Sequence, residues 1–216
     1  MHDLNPYSRA FGLTGVMGSG KSTVAELLRQ QGAHVLDADE LARYVIDPTS
    51  PYYAQLRAKL TAAFTAVANA SIFLENGELN RPLLGRAIFG DERRVSLLNS
   101  IMHPVIQREF SRRVSTIPEG EVIVYDVPLL FERNIHKRTK ASILVYAPEE
   151  ICVARAVKRA AAKGQLLTEA DARARLKSQI SIEKKRELAD YIIDNSGDVA
   201  ALAPQVAGLY QKLKEL

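Results

Sequence analysis

The chain has 216 residues, 47% hydrophobic and 25% charged, a globular balance that excludes disordered and collagen-like classes and fits one domain or one core with insertions. The single cysteine, Cys152, excludes an intrachain disulfide or a Cys-rich zinc site and fits a reducing compartment. The longest apolar run, Val122 to Phe131, is interrupted by Asp126 and Pro128 and is too short to span a bilayer. Met1-His2-Asp3-Leu4-Asn5-Pro6 lacks the basic-then-apolar order of a secretory leader, so a soluble cytoplasmic protein is expected.

The net charge of +4 is unevenly placed. Between Val153 and Glu187, ten Lys/Arg residues face only Glu169, Asp171, Glu183 and Glu187, a local charge of +6 on a near-neutral body. Such a segment suits a polyanionic ligand; the plainer reading is a solvated helical face.

In chain order, Phe11 to Thr14 is an apolar run leading into glycines, a first strand. Ser22 to Gln31 follows as a helix, with Val24, Leu27 and Leu28 on one face and Gly32 as its stop. Val35-Leu36-Asp37 is a second strand, which completes a βαβ-sized unit. From Leu41 to Val114 the pattern is mostly helical, with breaks at Asp47-Pro48 and Asn76-Gly77. Val122 to Tyr125 is the best central strand, and Ile143 to Tyr146 and Tyr191 to Ile193 are two more. Continuous β-branched runs suit strands buried on both faces of a parallel sheet. The alternation with helices implies an α/β sheet, and the long helical stretch is an insertion in it.

Gly15-Val16-Met17-Gly18-Ser19-Gly20-Lys21-Ser22 matches G-x-x-x-x-G-K-[ST], between a predicted strand and a predicted helix. Glycines let backbone N–H groups turn inward around phosphate oxygens, and the helix N-terminus adds positive charge. In this motif Lys21 reaches the β- and γ-phosphates and the Ser22 hydroxyl ligates Mg²⁺. The dinucleotide pattern G-x-G-x-x-G is not satisfied, because Gly18-Ser19-Gly20 runs into Lys21, Ser22 and Thr23.

Asp37 and Asp39 are read as ending the second strand, where period two places them on the same side. One suits the role of proton acceptor from an attacking hydroxyl, and the other can orient substrate or a metal-bound water; capping of a helix beginning near Glu40 is the alternative. Asp126, after the Val122–Tyr125 run, has the placement of a carboxylate that helps hold Mg²⁺, or of a turn residue before Pro128. Cys152 reads as a buried structural residue, and the four histidines lack zinc-ligand spacing.

Gly12 through Ala25, Val35-Leu36-Asp37-Ala38-Asp39-Glu40-Leu41-Ala42-Arg43, His103-Pro104-Val105-Ile106 and Asp126-Val127-Pro128-Leu129-Leu130-Phe131-Glu132 resemble the dephospho-CoA kinase family. So do Arg175 with Gln179, Lys185, Ala189-Asp190 and Ile193-Asp194-Asn195-Ser196-Gly197, in the same order along nearly the whole chain. The resemblance implies a three-layer P-loop NTPase fold with a parallel sheet, a helical acceptor-binding insertion and a helical lid. The core is expected over 11–43, 103–154 and 188–212, the insertion over 44–102 and the basic lid over 155–187. It implies transfer of the ATP γ-phosphoryl group to the 3′-hydroxyl of dephospho-CoA, with ATP and Mg²⁺ as cofactors and with neither nucleic acid nor membrane as partner.

Asp39 matches the family's general base. Gly15, Gly18, Ser19, Gly20, Lys21, Ser22 and Thr23 are expected to hold the nucleotide, with Arg155, Arg159 and Arg175 closing on its phosphates, and Ser22 with Asp126 to hold Mg²⁺. Asp37, Arg43, Arg81, His103 and Arg108 are candidate acceptor contacts; surface charge, or packing for His103, is the alternative. Thr168 with Asp171 gives a capping-box-like start to a second lid helix. Another P-loop kinase with a different acceptor is the nearest competing enzyme. A nucleotide-dependent nucleic-acid-binding module rests on the basic segment alone, against only 6% aromatic residues and no Trp.

Overall fold

A computed structural model describes residues 5–216; Met1–Leu4, the start of the segment read above for a leader, lie outside the described residues. Five parallel strands, β1 (Ala10–Thr14), β2 (His34–Asp37), β3 (Ile123–Asp126), β4 (Ser142–Tyr146) and β5 (Tyr191–Asp194), form one sheet in the order β2-β3-β1-β4-β5. The helices are α1 (Lys21–Gln30), α2 (Ala38–Tyr44), α3 (Tyr53–Ala68), α4 (Arg81–Ile88), α5 (Glu92–Ser115), α6 (Glu149–Ala162), α7 (Glu169–Lys177), α8 (Ile182–Leu188) and α9 (Leu202–Lys214).

The chain divides into two compact units. The first comprises residues up to Asp37 and from Ile117 onward. Its sheet is covered on both faces, because successive side chains of a strand point to opposite sides. Phe11, Leu13, Val122, Val124, Ile143 and Val145 pack with Val24 and Leu28 of α1 and with Leu202, Val206 and Leu209 of α9. From the same β4 strand, Leu144 and Tyr146 pack the other way, against Cys152 and Val153 of α6, Ala172 and Leu176 of α7 and Ile182 of α8. This is the expected three-layer α/β fold. Strands β1, β3 and β4 are buried throughout. The expectation of burial on both faces fails for β5, which lies at the sheet edge with Ile192 exposed.

The second unit runs from Ala38 to Thr116 and is helical. In α3, Leu56, Leu60 and Phe64 recur at helical spacing and are fully buried, each worth about 1.5–3 kcal/mol. They pack with Val45, Ile46, Ile72, Leu84 and Val105. The side chain of Asp91 caps α5 by accepting from the Arg93 and Arg94 N–H groups. The break read at Asn76-Gly77 is a turn closed by a bridge between Phe73 and Leu79.

Asp39 requires a correction. Strand β2 stops at Asp37 and α2 begins at the next residue, so Asp39 is the second residue of a helix and not the end of a strand. The period-two argument for a shared side therefore does not apply. The basic segment is also built differently at its start, since residue 155 falls inside α6, which runs unbroken from Glu149.

Candidate active site

The Gly15–Ser22 loop leaves the carboxyl end of central strand β1 and enters α1, the edge where ligands bind in open α/β sheets. Gly18 and Gly20 have φ of 84° and 94°, a left-handed conformation that side chains resist. There is no room for side chains either: a Cβ on Gly18 would lie 2.0 Å from the Cys152 carbonyl oxygen, and one on Gly20 2.0 Å from Asn195 Nδ2. Gly20 caps α1 with no side-chain hydrogen bond, and the first turn, Lys21-Ser22-Thr23, carries no acid. The Thr23 N–H donates to the Gly20 carbonyl at 3.0 Å, and the Lys21 and Ser22 N–H groups with the positive pole of the turn are suited to an anion.

Two carboxylates stand beside the loop. Asp37 and Asp126 are Cα partners across β2 and β3, and Asp126 is also the register partner of Leu13 in β1. Asp126 is buried and forms an ion pair with Lys21. The loop lysine is therefore held at the carboxyl edge of the sheet by a carboxylate 105 positions away in sequence, on the strand that pairs with β1. Ser22 and Thr23 are exposed.

Behind this edge, the Pro128 carbonyl accepts from Thr14 Oγ1 at 3.0 Å and from Lys185 Nζ at 3.3 Å. Lys185 is fully buried and pairs with Glu132 Oε1 at 2.9 Å, which also accepts from the Ile180 N–H at 3.1 Å. Tyr146 donates to Glu183 at 2.7 Å, and the Arg186 guanidinium lies over its ring. Helix α8 is thus fastened to the sheet by three of its side chains. The Tyr146 hydroxyl has its pKa raised, chiefly by that bond to Glu183.

Arg155 and Arg159 are i, i+4 neighbours on α6, and Arg155 Nη1 donates to the Asn195 carbonyl at 2.8 Å. Arg159 and Arg175 are exposed. Helix α7 opens with the expected capping box: Thr168 Oγ1 accepts from the Asp171 N–H while the Asp171 carboxylate accepts from the Thr168 N–H. Cys152 is fully buried, and burial pushes its thiol up to about 11, which suits the structural reading.

The second unit carries Asp39, Arg43, Arg81, His103 and Arg108, all exposed. Arg43 Nε donates to the Asp39 carbonyl at 3.1 Å. Partial loss of hydration at its guanidinium lowers the pKa of Arg81, and the charge of Arg43 lowers it further, so two cations share one neighbourhood. Among the described residues no three His, Cys, Asp or Glu side chains gather into a metal-binding group, and no helix is long and apolar enough to cross a membrane.

Sequence reasoning gave no role to Asn195, Lys185 or Glu132, although each lies in a motif block of the resemblance. Asn195 Nδ2 donates to the Ser19 carbonyl at 2.7 Å inside the loop.

A family model described as dephospho-CoA kinase matches residues 9–201. A dephospho-CoA kinase of Thermobifida fusca is 37% identical over 203 residues, covering 94% of this chain and 95% of the relative. Among solved structures, TT1252 from Thermus thermophilus aligns with a TM-score of 0.75 at 30% identity, covering 96% of this chain and 98% of that one. Dephospho-CoA kinase from Campylobacter jejuni shares the fold, with a TM-score of 0.65 at 24% identity over 97% of this chain and all of that one.

Proposed function

The chain belongs to the dephospho-CoA kinase family, a family of ATP-dependent kinases acting at the last step of coenzyme A biosynthesis, and from that premise we propose that it transfers the γ-phosphoryl group of ATP to the ribose 3′-hydroxyl of dephospho-CoA, releasing ADP. The observation that supports this most is the loop itself, a glycine-built anion cradle at the sheet edge with Lys21 poised on Asp126.

The cradle of Gly15, Gly18, Ser19, Gly20, Lys21, Ser22 and Thr23 holds the phosphates through backbone N–H groups, and Lys21 exchanges Asp126 for the β- and γ-phosphates. Arg155, Arg159 and Arg175 add cationic contacts from α6 and α7. Ser22 and Asp126 fit Mg²⁺, since a hydroxyl and a carboxylate are hard oxygen donors and this ion takes few ligands from protein beside phosphates and water. When bound, Mg²⁺ neutralises charge on the transferring phosphoryl group. Asp39 accepts the proton of the 3′-hydroxyl as its oxygen bonds to the γ-phosphorus and the bond to ADP breaks. Asp37 orients the ribose. Arg43 and Arg81, already close enough to depress the Arg81 pKa, provide a site for the acceptor's anionic groups, with His103 and Arg108 on the same unit.

The test is product analysis by mass spectrometry after incubation with ATP, Mg²⁺ and an equimolar mixture of dephospho-CoA, nucleosides, nucleoside monophosphates and shikimate. CoA and ADP in equal amounts, with no other phosphorylated acceptor, are expected. Preferential phosphorylation of another acceptor overturns the assignment.

A further inference from the structure

We propose that Asn195 is a positioning residue of the nucleotide site, whose carboxamide fixes the Ser19–Gly20 peptide so that the Gly20 N–H faces the bound phosphates. This rests on the reading of the loop as the ATP site. Asn195 follows β5 directly and is 5% exposed. Its backbone is anchored on both sides without help from the loop. The N–H donates to the Tyr146 carbonyl at 2.7 Å, and the carbonyl accepts from Arg155 Nη1 at 2.8 Å. The side chain is therefore a fixed post, and its Nδ2 donates to the Ser19 carbonyl at 2.7 Å.

In a trans peptide the C=O and the following N–H point in opposite directions, and no cis peptide occurs among the described residues. Holding the Ser19 carbonyl toward Asn195 turns the Gly20 N–H away from it. A loop with two glycines at positive φ is permissive by itself, and its amides point inward only if something outside holds them there. Gly20 and Asn195 are matched for this purpose: the Cβ that Gly20 lacks would sit 2.0 Å from Asn195 Nδ2. The missing side chain is what admits the carboxamide.

Two variants test this, with ADP as the probe. Asn195→Ala removes the donor and is expected to weaken ADP binding about tenfold, the worth of a buried carbonyl left unpaired. Asn195→Asp keeps the shape but sets a carboxylate against the Ser19 carbonyl, so the loss is larger, on the order of a hundredfold. In both, KM for ATP rises in step while KM for the acceptor stays within about twofold, since only the loop is disturbed. In ¹H–¹⁵N spectra, a downfield shift of the Gly20 amide on ADP addition is expected for the wild type and is expected to shrink in the variants.

Folded variants that bind ADP as the wild type does overturn the inference. So does a uniform loss, with both KM values and Tm moving together while the Gly20 shift is unchanged. Should Asn195→Asp not fold, the uncharged Asn195→Ala decides alone. Wild-type protein that binds no ADP overturns the reading of the loop, and this inference with it; wild-type binding with unaltered variants overturns only the inference.

Discussion

Substituting Glu109 by Gln tests how the helical unit is held together. Glu109 is fully buried in α5. Its carboxylate accepts from Arg112 Nε and Nη2 at 2.8 and 2.7 Å, from Arg113 Nε at 2.9 Å and from the Tyr52 hydroxyl at 3.1 Å. Arg113 in turn lies over the Tyr44 ring at the end of α2. The Arg112 bonds pull the carboxyl pKa down against the opposing effect of burial, and Arg113 and Tyr52 add to the pull, so that it falls from 4.5 to about 2. A drop of that size corresponds to about 3 kcal/mol at neutral pH. The Arg112 side chain is 54% exposed, so solvent screens its share, and about 2 kcal/mol is the expected cost of Glu109→Gln. For a chain of this length that lowers Tm by about 4–8 °C. Because the folded pKa is depressed, the contribution is present above the unfolded value near 4.5 and is lost as pH falls toward 2. Thermal scans of wild type and variant at pH 7 and near pH 2.5 should show a gap that closes in acid. Equal Tm at pH 7, or a gap undiminished at low pH, refutes the charge-network account.

Removing either partner of the buried Lys185–Glu132 pair, by Lys185→Met or Glu132→Leu, should cost about 3–5 kcal/mol in urea unfolding, with the double variant recovering much of it; strictly additive losses would contradict the pairing. Cys152 should resist a thiol reagent at pH 7.5 in the native protein and react at once in denaturant, and rapid native labelling would contradict its burial. Lys21→Ala and Asp39→Asn should each lower kcat at least a hundredfold with an unchanged circular dichroism spectrum, and wild-type turnover in either variant would remove that residue from the proposed mechanism.

What the sequence made legible was local. The Gly15–Ser22 loop is contiguous, and its flanking strand and helix fall within a residue of their expected bounds. The Thr168–Asp171 capping box spans one helical turn and needs no tertiary knowledge. The central strands announced themselves as unbroken apolar runs. The error at Asp39 has a local cause as well: α2 starts with no linker after β2, so an alternating reading carries on two residues into a helix. The edge position of β5 was not legible, because strand order is a property of the whole sheet. Nor were the roles of Asn195 and Lys185. The carbonyl that Asn195 holds lies 176 positions away, and the one that Lys185 reaches lies 57 away. Such pairings are fixed by topology and leave no periodicity to read.

The basic segment shows how a charge count is refined by contacts. All four of its acids are engaged close at hand: Glu169 faces Arg173, Asp171 caps α7, Glu183 meets Tyr146 and Arg186, and Glu187 meets Lys184. Lys185 is compensated from outside by Glu132, and Arg173 also by Glu149 and Glu150. Among the described residues, Arg155, Lys158, Arg159, Lys163, Arg175 and Lys177 form no ion pair with a carboxylate, although Arg155 donates to the Asn195 carbonyl. The surplus charge therefore does not spread over the segment. It gathers on the outer part of α6, the turn after it and the last turn of α7, while α8 is neutralised and fastened to the sheet. Cations with a carboxylate partner hold the segment's base in place, and the surplus charge is carried by the cations that form no such ion pair.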